Sequence, residues 1–152
     1  MLRAHPPPVV RADATALPVR AAAFGAVVAV NVLDHLADPV VAIGEAGRVL
    51  VPGGTFLAAT ASRHDSPELA SVWRPPPSSF DAENAPALVR SVFGEVQVAR
   101  WDAPLLRLPD EDAVRDYLIA RFVGPDDAAA RAAQVRTPIT LTKRGAVLRA
   151  RR

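Results

Sequence analysis

Few side chains in this sequence could carry chemistry, and most of those sit where an apolar run ends. Asp13 follows Val9-Val10 at the end of a short apolar stretch, where its carboxylate could accept a hydrogen bond from an exocyclic amine or could turn the chain. Asn31 interrupts the run from Phe24 to Leu33 and needs either a ligand or a local loop to satisfy its amide. Asp34 reads as an acid at a ligand edge or as a polar loop residue. His35 beside it is the candidate general base, because histidine titrates nearest neutrality, weighed against a loop role at the head of the next helix. Arg63, His64, Trp73 and Arg74 lie in a long irregular segment that could offer a mixed polar and aromatic surface to a small molecule.

Composition narrows the chemistry further. With no cysteine, disulfides, thiolate ligands and cysteine nucleophiles are excluded, and the three histidines (His5, His35, His64) form no i, i+4 metal pair. No metal site is expected. The 152 residues, half of them hydrophobic, suffice for one domain. No apolar run approaches the roughly 20 residues of a membrane span, and the first residues lack the apolar middle of a signal peptide, so a cytoplasmic protein is expected. The formal charge is only +2, and the basic C-terminal residues do not interleave with aromatics. A solvated terminus is therefore expected there, with no nucleic-acid partner and no membrane.

The elements that must position these residues follow from periodicity. Residues 9–13 read as a short strand. Residues 24–33, nearly all apolar and rich in valine, read as a strand buried on both faces of a parallel sheet. Asp38-Pro39 supplies an N-cap and a proline at the first helical position, so a helix is expected over about 39–50. Pro52-Gly53-Gly54 stops it, and a second strand runs from Thr55 to Thr60, completing a βαβ crossover. After the 62–80 excursion come a helix capped by Asp81 and closed by Gly94, a strand over 95–101, helices over 110–122 and about 127–135, and, over 139–150, either two β segments around the Lys143-Arg144-Gly145 turn or one bulged strand.

These pieces occur in a telling order: Asp13-Ala14-x-x-Leu17-Pro18, Phe24-Gly25-Ala26-Val27-Val28-Ala29-Val30, Leu33-x-His35-Leu36-x-Asp38-Pro39, and Glu45-x-x-Arg48-Val49-Leu50-x-Pro52-Gly53-Gly54. In that order the chain resembles the class I S-adenosylmethionine-dependent methyltransferases of the type 11 group. The resemblance implies an α/β, Rossmann-like fold: a mostly parallel sheet with helices on both faces and a C-terminal antiparallel strand. It implies S-adenosylmethionine as cofactor, Asp13 and Ala14 at the adenine, and Asn31 and Val32 at the methionine end. The acceptor, a small molecule, is expected near Arg63, His64 and Trp73. Arg48 and the Pro52-Gly53-Gly54 turn belong to the family signature as architecture. Relative to the family, the first two βα units and the glycine-rich cofactor loop are missing, so a single domain incomplete at its N-terminus is expected. An exposed sheet edge that could support a homodimer is the corollary.

Overall fold

The computed structural model describes residues 9–152. Its elements run in the order β1 (Phe24–Val30), a 3-10 turn (Leu33–His35), α1 (Pro39–Val49), β2 (Leu50–Ala61), a second 3-10 turn (Pro67–Leu69), α2 (Ala85–Phe93), β3 (Gln97–Leu108), α3 (Glu111–Ile119), α4 (Pro125–Ala132) and β4 (Ile139–Arg151). The four strands form one sheet in the order β1-β2-β4-β3. β1 and β2 are parallel, joined by the α1 crossover, while β4 runs antiparallel to both of its neighbours.

Local chemistry accounts for the helix starts. Asp38 accepts a hydrogen bond from the Val40 N–H at 3.0 Å, and Pro39 occupies the first turn, where a missing N–H costs nothing. Asp110 caps α3 in the same way through the Ala113 N–H at 2.9 Å. Asp81, expected to cap α2, binds the N–H groups of Glu83 and Asn84 instead, and the helix starts at Ala85. Gly94 ends α2 at φ +78, as expected. Gly53 takes φ +75, but the Pro52-Gly53-Gly54 turn lies inside β2 rather than before it.

Two clusters make the core. In the first, α1 and α2 place Ile43, Ala46 and Val89 on Phe56 and Ala58 of β2 and on Ala146, Leu148 and Ala150 of β4, with Phe93 stacked 5.2 Å from Phe56. In the second, Leu69, Trp73, Val114, Leu118 and Ala128 gather on Leu108 and Leu141 at the far end of the β3–β4 ribbon.

The α/β class, the crossover and the C-terminal antiparallel strand are as expected; the cover of the sheet differs in detail. The sheet is mixed, its parallel part being the β1–β2 pair. β1 was expected to be buried on both faces, yet Val28 is 62% and Val30 53% exposed. Val27 and Ala29 reach the first cluster, and the alternate residues face away from it. Nor do residues 9–13 form a strand: Asp13 makes only an isolated bridge to Ala16. Unpaired N–H and C=O groups cannot hold an extended segment as a strand, and Val9 and Val10 find no ladder among the described residues.

Candidate active site

Asp13 and Ala14 sit in a turn held onto α1. The Asp13 carboxylate accepts the N–H and the hydroxyl of Thr15 at 2.8 and 2.7 Å, both through Oδ1. These bonds, the Thr15 N–H foremost, lower the Asp13 pKa and keep it ionised. The chain-turning role is therefore real, while Oδ2 stays outside those bonds. The Ala14 N–H also takes no part in the turn, whose closing bond is made by the Ala16 N–H.

What fixes this turn is a clamp from α1. Arg48 donates to the carbonyls of Val19 and Leu17 at 2.8 and 3.0 Å, and Glu45 accepts from the Leu17 N–H at 2.9 Å. Glu45 and Arg48 also pair with each other through two bonds of 2.6 and 2.8 Å. The pair thus does more than the weak i, i+3 contact of an exposed helix face: it ties the residues after Asp13 to the crossover helix. The hydrogen bond from Arg48, then that from Leu17, holds the Glu45 pKa at about 2. A carboxylate whose pKa is depressed in the folded state stabilises above its unfolded value, and that contribution is lost as pH falls from about 4.5 toward about 2. Glu45→Ala is expected to speed hydrogen exchange at the Leu17 amide by about tenfold at neutral pH, and acidification through that window should reproduce part of the effect in the unsubstituted chain. An unchanged Leu17 exchange rate would count against the clamp.

Asn31 ends β1. Its backbone is left-handed, φ +49, its N–H is bound by the Ala59 carbonyl at 3.0 Å, and its side chain is exposed. Asparagine tolerates this conformation better than most residues. The polar break in the apolar run is thus met by a sharp turn that delivers Val32, also exposed, to the carboxyl ends of β1 and β2.

Beyond this turn lies a cavity of about 300 Å³, lined by Asp34 and His35 after β1, by Thr60 to Arg63 at the end of β2, and by Trp73, Pro75–Ser78, Phe80 and Phe122. A larger, open groove of about 630 Å³ lies at the opposite end of the sheet, beside Arg90, Arg149 and Arg151. Ligands of open α/β sheets collect at the carboxyl ends of parallel strands, which favours the smaller cavity.

The structure brings together His35, Arg63 and Trp73 on this cavity but leaves His64 off it, on a separate depression with Arg100 and Asp102. Trp73 is only 7% exposed and belongs to the second core cluster, so one edge of it serves the wall while the ring packs against Tyr117. Arg63 is occupied by Asp81, at 2.9 and 3.1 Å, and its own N–H binds Glu83. Burial raises the Asp81 pKa, but the Arg63 guanidinium and two backbone N–H groups outweigh it and the net shift is downward. Asp34, left open between loop and ligand roles in the sequence, proves to line the cavity; its place in the turn after β1 was the available signal.

Comparison with known proteins bears on the fold. Residues 2–58 match the family model described as Methyltransferase domain. No curated protein matches the chain in sequence. Among solved structures, the chain is similar over 93% of its length to a methyltransferase of Thermotoga maritima described as a possible histamine N-methyltransferase (18% identity, TM-score 0.54), covering 62% of that chain. It is similar over the same share to the cyclase SpnF (22% identity, TM-score 0.57, 55% of that chain). A third likeness is to the YcgJ protein of Bacillus subtilis (15% identity, TM-score 0.62, 69% of that chain). The chain therefore spans less than two thirds of the length of the first two, and identities this low speak for the fold alone. The match to the Methyltransferase domain model thus covers residues 2–58, and over most of its length the chain shares the α/β fold of these solved structures.

Proposed function

We propose that the chain takes part in methyl transfer from S-adenosylmethionine to a small-molecule acceptor held in the cavity at the ends of β1 and β2. The observation that carries this reading is the position of that cavity next to the Asn31-Val32 turn, on the same sheet edge as Asp34 and His35. The residues present fit part of the cofactor. Ionised Asp13 keeps Oδ2 for an exocyclic amine, Ala14 keeps its N–H, and Asn31 and Val32 offer an exposed turn toward the methionine end. When bound, the cofactor supplies an electrophilic methyl group, and positioning of the two reactants carries most of the catalysis. His35, whose side chain is 69% exposed, is the candidate to accept a proton from the acceptor at its imidazole, with Asp34 Oδ2 4.0 Å from Nε2. Calorimetric titration of the folded 152-residue chain with S-adenosylhomocysteine tests the reading. Micromolar binding that weakens about tenfold in Asp13→Ala is expected. Absence of binding to a chain that circular dichroism shows to be folded would overturn it.

A second reading, a non-catalytic protein that associates through its sheet, has its own support. Among the described residues β1 is an edge strand, and the rows Val28-Leu57 and Val30-Ala59-Val147 cross a face that they leave uncovered, with Val147 39% exposed. An unpaired apolar edge favours addition of another strand. Under this reading, sedimentation of the chain gives a concentration-dependent dimer that Val28→Lys abolishes; a monomer at all concentrations would dismiss it.

A further inference from the structure

The cavity at the ends of β1 and β2 holds an electrostatic imbalance that its own residues do not resolve. Three carboxylates line it: Asp34, Asp65 and Asp81. Asp65 is satisfied by Lys143, Ser66 and the Arg144 N–H, and Asp81 by Arg63 and two backbone N–H groups. Of the two guanidinium groups at the cavity, Arg63 is committed to Asp81 and Glu83, and Arg121 stands over the Tyr117 ring at 5.1 Å.

Asp34 is different. Its Oδ1 is shut off from water with no donor among the described residues, although the side chain as a whole is about a third exposed. The His35 imidazole lies at 4.0 Å from Oδ2, beyond hydrogen-bond reach. Oδ1 is thus out of a ligand's reach, and the part of the Asp34 carboxylate that a ligand donor can meet is its exposed side. The wall also carries apolar surface from Trp73, Phe122 and the proline run from Pro75 to Pro77, with Thr60, Ser62 and Ser78 between. A carboxylate with apolar surface beside it suits an amine on an apolar body, since a protonated amine can donate to Asp34 while its body packs against the proline run and the exposed Phe122.

We infer that this cavity binds a small molecule bearing a primary or secondary amine on an aromatic or similarly apolar body, with the amine donating to Asp34. The inference rests on the reading of this cavity as the acceptor site, but its test does not depend on methyl transfer. Phenethylamine, phenethyl alcohol and 3-phenylpropionate are titrated separately into the isotope-labelled chain, and amide shifts of residues 34–35 and 60–63 are followed by NMR.

Phenethylamine is expected to shift those amides and to bind at least about tenfold more tightly than the carboxylate probe. Asp34→Asn, which keeps the shape but removes the charge, should erase that preference. Equal binding of amine and carboxylate, no binding of the amine, or an unchanged preference in Asp34→Asn would overturn the inference. A parallel titration with S-adenosylhomocysteine separates the two levels. Asp34-dependent amine binding without cofactor binding keeps the inference and removes the methyltransferase reading. Cofactor binding with no amine preference does the reverse.

Discussion

Gly145→Ala is expected to destabilise the fold by about 2 kcal/mol or more, read as a lower denaturant midpoint with an unchanged slope. Gly145 is the position where three strands meet: it pairs with Ala61 of β2 on one side and with Trp101 of β3 on the other. A Cβ there would stand 2.0 Å from the Trp101 ring and 2.6 Å from the Thr60 carbonyl oxygen. The ring could swing aside, but the carbonyl belongs to the β2 backbone, whose next residues line the candidate cavity. Trp101→Leu in the same chain should therefore recover only part of the loss. A full recovery would mean that the ring alone sets the requirement for glycine; an unchanged midpoint in Gly145→Ala would mean that the three-strand packing is looser than described.

The second large effect is expected at Asp65 and Lys143. Asp65 is buried, its side chain 3% exposed, and is bound at once by the Lys143 ammonium and by the Arg144 N–H at 2.8 Å. Lys143 also donates to the Ser66 and Tyr117 hydroxyls, each at 3.0 Å, and Ser66 and Tyr117 bond to each other at 2.9 Å. This network joins the 62–80 excursion, α3 and β4, so it holds the second core cluster against the sheet. Ser66, buried and left-handed at φ +54, is held in that conformation by its place in the network.

Removing one member strands the other's charge away from water. Lys143→Met is expected to cost about 3–5 kcal/mol, and Asp65→Leu a similar amount. The double substitution should cost clearly less than the sum, because no buried charge is then left without its partner. Chemical denaturation of the four proteins checks this. Strict additivity would show that the two charges do not interact as the geometry indicates.

Much of the fold was legible in the sequence, and the reasons can be traced to particular residues. Asp38-Pro39 and Asp110 announced helix starts because their side chains replace missing intrahelical acceptors, and both do so. Gly94 announced a helix end through its freedom at positive φ. The burial of β1 was not legible. Val27-Val28-Ala29-Val30 looks the same whether helices cover one face or two, and only tertiary structure decides that Val28 and Val30 stay exposed.

The candidate site was legible in outline. Asn31 was legible as the end of an apolar run and does end β1, whereas Asp13, read the same way, ends no strand. Trp73 could not be sorted in advance, since an aromatic in an irregular segment suits a core as well as a ligand wall, and here it is chiefly core. The reach of Glu45 and Arg48 to Leu17 and Val19, some 30 positions earlier, has no local signature in the sequence. The likeness to the cyclase SpnF is a reminder that the fold alone does not choose the reaction.

The most direct test of the central claim locates the cofactor rather than merely detecting it. NMR titration of the labelled chain with S-adenosylhomocysteine should shift the amides of residues 13–15 and 31–33 first and most, with smaller changes at 34–35. Shifts confined to the groove beside Arg90 and Arg149, or no shifts in a folded chain, would contradict the assignment of this sheet edge as the methyl-transfer site.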